Sequence, residues 1–301
     1  MKVITTIVIS AILAGCASSE ISPPHTLEPG KTSEPVLTRV DSAPGIVLWS
    51  DGVVAPENTL QQLIEARAKF SRQVMTPPDF NTLKVLNNEA LIALSPELPG
   101  TANLTLTEEM FDGDEHRTAT IVRHEACHIM AIEGWKAMGL GSQADVGLSY
   151  GHPAVADWLD ETLAVMCEPE ASRLDQPFTP IPMADYLTME HPVFATMKAQ
   201  FEAMQNSAGQ GDSEDGSGPM VIVMDEPEES DLPGDYYTQS AWIRELILDQ
   251  LGYEGIRQIY KSAAAGVNPS KALMQKLGAD SWQQMDTLFA DYLARAGASL
   301  R

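Results

Sequence analysis

Ile121-Val122-Arg123-His124-Glu125-Ala126-Cys127-His128-Ile129-Met130 is the stretch on which the reading of this chain turns. Apolar Ile121, Val122, Ile129 and Ile132 recur at helical spacing and give the segment a face to bury. Side chains four residues apart on a helix project from one face about 6 Å apart, so the imidazoles of His124 and His128 reach a single Zn²⁺. Glu125 sits about 100° round the helix, beside the metal and not on it. There a carboxylate accepts a proton from water whose pKa zinc lowers to about 7. The pattern therefore pairs a Lewis acid with a general base, which is the chemistry of hydrolysis.

Working outward, the motif helix is expected to begin near Glu115 or Thr118, to run to Ile132 and to close before Gly134. A second helix fits residues 155–168 and stops at Pro169. Upstream, residues 46–49 read as a strand, and residues 59–75 as a helix ended by Pro77-Pro78. Residues 83–86, 90–94 and 102–107 read as strands separated by Pro96, Pro99 and Gly100. Downstream, helices are expected at 236–250, 253–265, 269–277 and 281–298, with Gly252, Gly266, Gly278 and Gly297 at their ends.

A catalytic zinc needs a third protein ligand and an open position. The metzincin pattern, with Gly three and His six residues after the second His, is absent: those positions hold Ala131 and Gly134. Trp158-Leu159-Asp160-Glu161-Thr162-Leu163-Ala164 resembles the Trp-Leu-x-Glu-Gly-x-Ala element of gluzincin, or peptidase MA-like, metallopeptidases, with Thr162 in place of the Gly. That resemblance implies zinc on His124, His128 and Glu161, with Glu125 as general base. Asp157, Asp160 and Glu168 are competing carboxylates within reach. Tyr236-Tyr237-Thr238-Gln239-Ser240 and the helix that follows are similar to a second gluzincin element, in which a tyrosine hydrogen-bonds the oxyanion of the tetrahedral intermediate. Tyr237 fits that role best and Tyr236 next. The Gly-x-Met-x-Asn element of related aminopeptidases is missing upstream of His124, which favours endopeptidase activity. Zincins add substrate backbone to an edge strand, and residues 102–107 are the candidate edge.

Two other readings stay open. Gly141-Ser142-Gln143-Ala144-Asp145 followed by Tyr150-Gly151 approximates the aspzincin element, which would make Asp145 the third ligand. A non-catalytic zincin-like binding module of the cell envelope is the other, although the retained Glu125 argues against it.

The N-terminus speaks to compartment. Lys2, the short apolar run 3–14 and Leu13-Ala14-Gly15-Cys16 form an export signal too short to span a bilayer. The ending resembles the lipobox of bacterial lipoproteins, which implies cleavage before Cys16, lipidation of Cys16 and, with Ala17 following, an outer-membrane address facing periplasm or exterior. Prolines 23, 24, 29, 35 and 44 among Ser, Thr and Glu then read as a solvated tether. Cys127 and Cys167 are left as either a disulfide stapling the two motif helices or two separately buried thiols.

Net charge bounds the partners. With 42 acidic against 19 basic residues the formal charge is -23, which repels phosphate backbones and excludes nucleic acid. A hydrophobic content of 44% in 301 residues supports a sizeable core. Residues 209–235 depart from this composition, being acidic, Gly- and Ser-rich and free of Lys and Arg, so they read as a flexible insertion.

The expected organisation is a signal peptide at 1–15, a Pro-rich tether at 16–45, a zincin-like catalytic domain at 46–208, the acidic insertion at 209–235 and a helical C-terminal subdomain at 236–301. The expected fold is α+β, with a small mixed sheet beside an active-site helix pair. The expected partners are a peptide or protein substrate and a membrane, reached through the lipid anchor.

Overall fold

A computed structural model describes residues 38–50, 58–78, 82–86, 103–107, 115–140, 155–169, 173–192, 195 and 234–301. Within them the chain is α+β and mostly helical, with a small sheet ordered β1-β2-β3-β4. Strands β1 (Thr38–Ala43) and β2 (Ile46–Ser50) are antiparallel, whereas β3 (Thr82–Leu86) and β4 (Asn103–Thr107) continue the sheet in parallel. Helix α1 (Thr59–Gln73) forms the crossover from β2 to β3 and buries Leu63, Ala66 and Phe70 along one stripe.

Strand β1 corrects the sequence reading, which carried the tether to residue 45. Pro44 and Gly45 are not tether punctuation. They form the two-residue turn that pairs Ala43 with Ile46, and the positive φ of 78° at Gly45 is the conformation that glycine adopts without a Cβ clash.

Helix α2 (Glu115–Ala137) carries the His-Glu-x-x-His motif and continues past Gly134, beyond the expected end. Gly134 marks a close approach and not a stop. A Cβ at this position would overlap the Tyr260 hydroxyl, which donates to the Ala131 carbonyl at 2.7 Å. Trp135 then stacks on the Tyr260 ring, with centroids 4.9 Å apart.

Helix α3 (Asp157–Cys167) is buried on all sides. Trp158, Leu159, Leu163 and Ala164 enter the common core, yet Asp160, Glu161 and Thr162 are buried too. A helix that is enclosed all round brings its polar residues inside, where each needs a partner. Cations from neighbouring helices serve its last carbonyls: Lys69 Nζ donates to Glu168 O at 2.8 Å, and Arg244 Nη1 to Val165 O at 3.3 Å. A disulfide joins Cys127 of α2 to Cys167 of α3 across a Cα separation of 6.1 Å, so the two motif helices are covalently stapled.

Helix α4 (Met183–Tyr186) is a single turn. Helix α5 (Gly234–Ala264) packs on α3 and breaks at Gly252, whose φ of 62° separates the two helices that the sequence predicts. Its first residues, Gly234 and Asp235, are helical, so the acidic insertion ends before them. Helices α6 (Pro269–Leu277) and α7 (Trp282–Ala296) close the C-terminal side, and Trp158 Nε1 donates to Ser270 Oγ at 2.9 Å across that join. The segment expected to be an export signal with Cys16, residues 16–37 of the expected tether, the expected strand 90–94, Asp145 and most of the acidic insertion lie outside the described residues.

Candidate metal centre

The i and i+4 positions of α2 turn His124 and His128 toward α3, and their Nε2 atoms converge to 3.1 Å. Glu161 completes the convergence. Its Oε2 lies 3.4 Å from His124 Nε2, and its Oε1 lies 3.2 Å from His128 Nε2. All three donors lie within 4.8 Å of one another. Two donors about 2.05 Å from one ion at the tetrahedral angle stand about 3.3 Å apart, so these separations are those of ligands around a single small cation.

Glu161 Oε2 is buried and has no hydrogen-bond partner among the described residues, a costly state for a carboxylate oxygen that an ion would relieve. The residues therefore fit a metal: two imidazole nitrogens and one carboxylate oxygen, a donor set suited to zinc.

The outer nitrogens of both rings are held as well. His124 Nδ1 lies 2.7 Å from Glu168 Oε1, and His128 Nδ1 lies 2.9 Å from Asp160 Oδ2. The Glu168 hydrogen bond on Nδ1 directs the Nε2 of His124 inward and raises its basicity, while Asp160 stands beside His128 as a charge partner. The two competing carboxylates thus face the outer nitrogens and lie outside the converging donor set. Asp157, the third competitor, accepts from the backbone N–H of His191 at 2.6 Å.

Arg173 grips Glu168, its Nε 2.9 and 3.0 Å from the two carboxylate oxygens. Burial opposes ionisation of Glu168, but the Arg173 guanidinium and the His124 hydrogen bond outweigh it and bring the carboxyl down to about 2. Burial likewise opposes a charged Glu161, and the facing imidazoles of His128, His124 and His191 reverse the sign and hold it well below the usual carboxylate range. For His128, burial disfavours the proton while Asp160 and Glu161 attract it, and the net direction is upward.

Glu125 is buried beside this cluster but outside the ligand set. Its carboxyl is raised above the ordinary value, chiefly by burial, with His128 and His124 opposing and Glu161 and Asp160 assisting.

Tyr237, in the first turn of α5, also reaches the centre. Its ring centroid is 6.4 Å from that of His124 and 5.6 Å from that of His191, and the Arg173 guanidinium carbon lies 5.0 Å from its ring centre. Tyr236 packs behind, at 5.4 Å from His191 and 5.3 Å from Tyr186.

Arg173 and His191 escaped the sequence reading. Both lie in the irregular stretch after α3, where no periodicity assigns a side chain to a face, and residue type was their one signal. The chain was compared with protein-family models and with curated proteins, and it matches none of them.

Proposed function

We propose that this chain is a zinc-dependent, gluzincin-like metallopeptidase with a zincin-like fold, most simply an endopeptidase. It is exported and held at the bacterial envelope by a lipid on Cys16. The observation that carries the catalytic part is the buried convergence of two Nε2 atoms on the unpartnered Oε2 of Glu161, with Glu125 alongside.

His124, His128 and Glu161 would hold the ion. Zinc, when bound, supplies Lewis acidity, polarising a scissile carbonyl and bringing the pKa of a coordinated water to about 7. Glu125 takes a proton from the attacking water and delivers it to the departing amine. Tyr237 is the candidate to donate a phenolic hydrogen bond to the developing oxyanion, a contribution that changes no charge. Strand β4 stands at the edge of the described sheet order, as required of a strand that pairs with substrate backbone.

Metal analysis and turnover of a broad peptide library by the soluble chain test the reading together. Glu125→Gln should retain stoichiometric zinc and lose turnover by about 10²-fold or more, the scale of general-base work. Undiminished turnover would remove Glu125 from the mechanism. For the anchor, Cys16→Ser should release the chain from membrane fractions. A native N-terminus that is unmodified and begins downstream of residue 16 would exclude lipidation.

A further inference from the structure

His191 is buried against the rings of both Tyr236 and Tyr237 and faces Glu161, the one carboxylate in the converging donor set. Its Nε2 lies 3.0 Å from Glu161 Oε1, a hydrogen-bond distance. Its backbone N–H donates to Asp157 Oδ2 at 2.6 Å. Asp157 and Glu161 are i and i+4 on α3 and so share a face. One helix face therefore grips His191 at two points, by main chain and by side chain, while two tyrosine edges restrict rotation of its ring.

The two oxygens of Glu161 are not equivalent. Oε1 faces the His191 nitrogen at 3.0 Å as well as His128 Nε2 at 3.2 Å, whereas Oε2, 3.4 Å from His124 Nε2, is buried with no hydrogen-bond partner among the described residues. His191 also stands outside the set whose donor atoms all lie within 4.8 Å of one another. It approaches Glu161 from the outer side, as Glu168 and Asp160 approach the two ligand imidazoles.

We infer that His191 is a positioning residue for the third metal ligand: it donates Nε2–H to Oε1 of Glu161 and reserves Oε2 for the ion. The inference rests on the metal-site reading above and extends it to the one ligand without an assigned outer-shell partner. A carboxylate free to rotate about its last torsion samples both one-oxygen and two-oxygen binding. One pinned through a single oxygen presents the other in a fixed direction and leaves more of the coordination sphere open.

The test is zinc affinity of the full folded chain, measured against a competing chelator. His191→Ala should weaken zinc binding by roughly 10- to 100-fold, the usual effect of deleting such a partner. His191→Gln, whose amide nitrogen also donates from the ε position, should recover most of the loss. With Co²⁺ in place of zinc, both variants should keep the wild-type visible bands, because the number of protein ligands is unchanged. In the wild-type chain, ¹⁵N-histidine NMR should show the His191 proton on Nε2, a readout that needs no variant to fold. Wild-type affinity in His191→Ala, or the proton on Nδ1, would overturn the inference. Equal loss in Ala and Gln variants with shifted Co²⁺ bands would make His191 a ligand and overturn it equally. A wild-type chain that binds neither zinc nor cobalt would overturn the metal site itself, a distinguishable failure.

Discussion

Reducing the Cys127–Cys167 disulfide perturbs the chain without changing a residue. The bond spans a sequence separation of 40. Closing a loop of that size removes about 13 cal/mol/K of entropy from the unfolded chain, or about 4 kcal/mol at room temperature. Both sulfurs are buried between the packed faces of α2 and α3, where Ala126, Met130, Leu163 and Ala164 already hold the helices together. The staple therefore acts mainly on the unfolded ensemble, and the folded site should survive its loss. Expected on reduction are a fall in unfolding free energy of about 4 kcal/mol, a melting point lower by roughly 10 °C, and nearly unchanged zinc affinity in the fraction still folded. Denaturant unfolding of oxidised and reduced chain, both metal-free, measures the first two quantities, and intact mass after alkylation confirms the redox state. Superimposable unfolding curves would refute the entropic reasoning. Two thiols alkylated without reductant, in protein recovered from an oxidising compartment, would refute the bond.

The remaining predictions concern the carboxylates. Glu161→Ala should abolish stoichiometric zinc, while Asp160→Asn should weaken it by roughly 10- to 100-fold, because one residue is a ligand and the other its neighbour's support; the reverse order, read by metal content at fixed free zinc, would exchange their roles. Glu168, depressed from 4.5 to about 2, stabilises the fold fully above pH 4.5 and loses that contribution as pH falls through about 2. The shift is worth about 3 kcal/mol at its largest, so the stability difference between the metal-free chain and Glu168→Gln should shrink by about that amount between pH 5 and pH 2, and a pH-independent difference would be incompatible with it.

The convergence of the two histidines was legible because helix geometry alone decides it: four residues bring His124 and His128 together whatever packs around them. The placement of Glu161 beside them was expected from its resemblance to a known ligand element, but residue spacing could not rank it above its neighbours. Asp160 and Glu161 differ by one step of rotation, and only the packing of α3 against α2 selects which of them faces the two Nε2 atoms and which the outer nitrogen of His128. Glu168 lies two turns on, where the chain leaves the helix, and its side chain turns back to His124. That reversal depends on backbone angles that no periodicity encodes. Gly134 and Pro44-Gly45 were misread for a related reason. Both glycines were read by local habit, as a helix stop and as tether, whereas a tyrosine from 126 residues downstream and a strand partner across the turn determine their roles.

The outer residues follow one electrostatic logic. Four buried carboxylates, Glu125, Asp160, Glu161 and Glu168, stand around two ligand imidazoles, and the Arg173 guanidinium offsets one of them. Unpaired buried charge costs several kcal/mol per group, so the cluster attracts whatever positive charge is at hand. In the metal-free chain that charge is a proton, and His128 accordingly holds one more tightly than a free histidine does. A divalent cation competes for the same place with twice the charge. Arg173 keeps Glu168 ionised, so Glu168 acts only as an acceptor, and His124 must then keep its proton on Nδ1 and its lone pair on Nε2. Asp160 Oδ2 stands 2.9 Å from His128 Nδ1 as a charge partner on the same outer side. With a carboxylate behind each ring, both imidazoles already face the inner side of the cluster. The donor set is therefore organised in advance, and on the proposed peptidase reading binding energy from a substrate would be left for positioning the scissile bond rather than for assembling the centre.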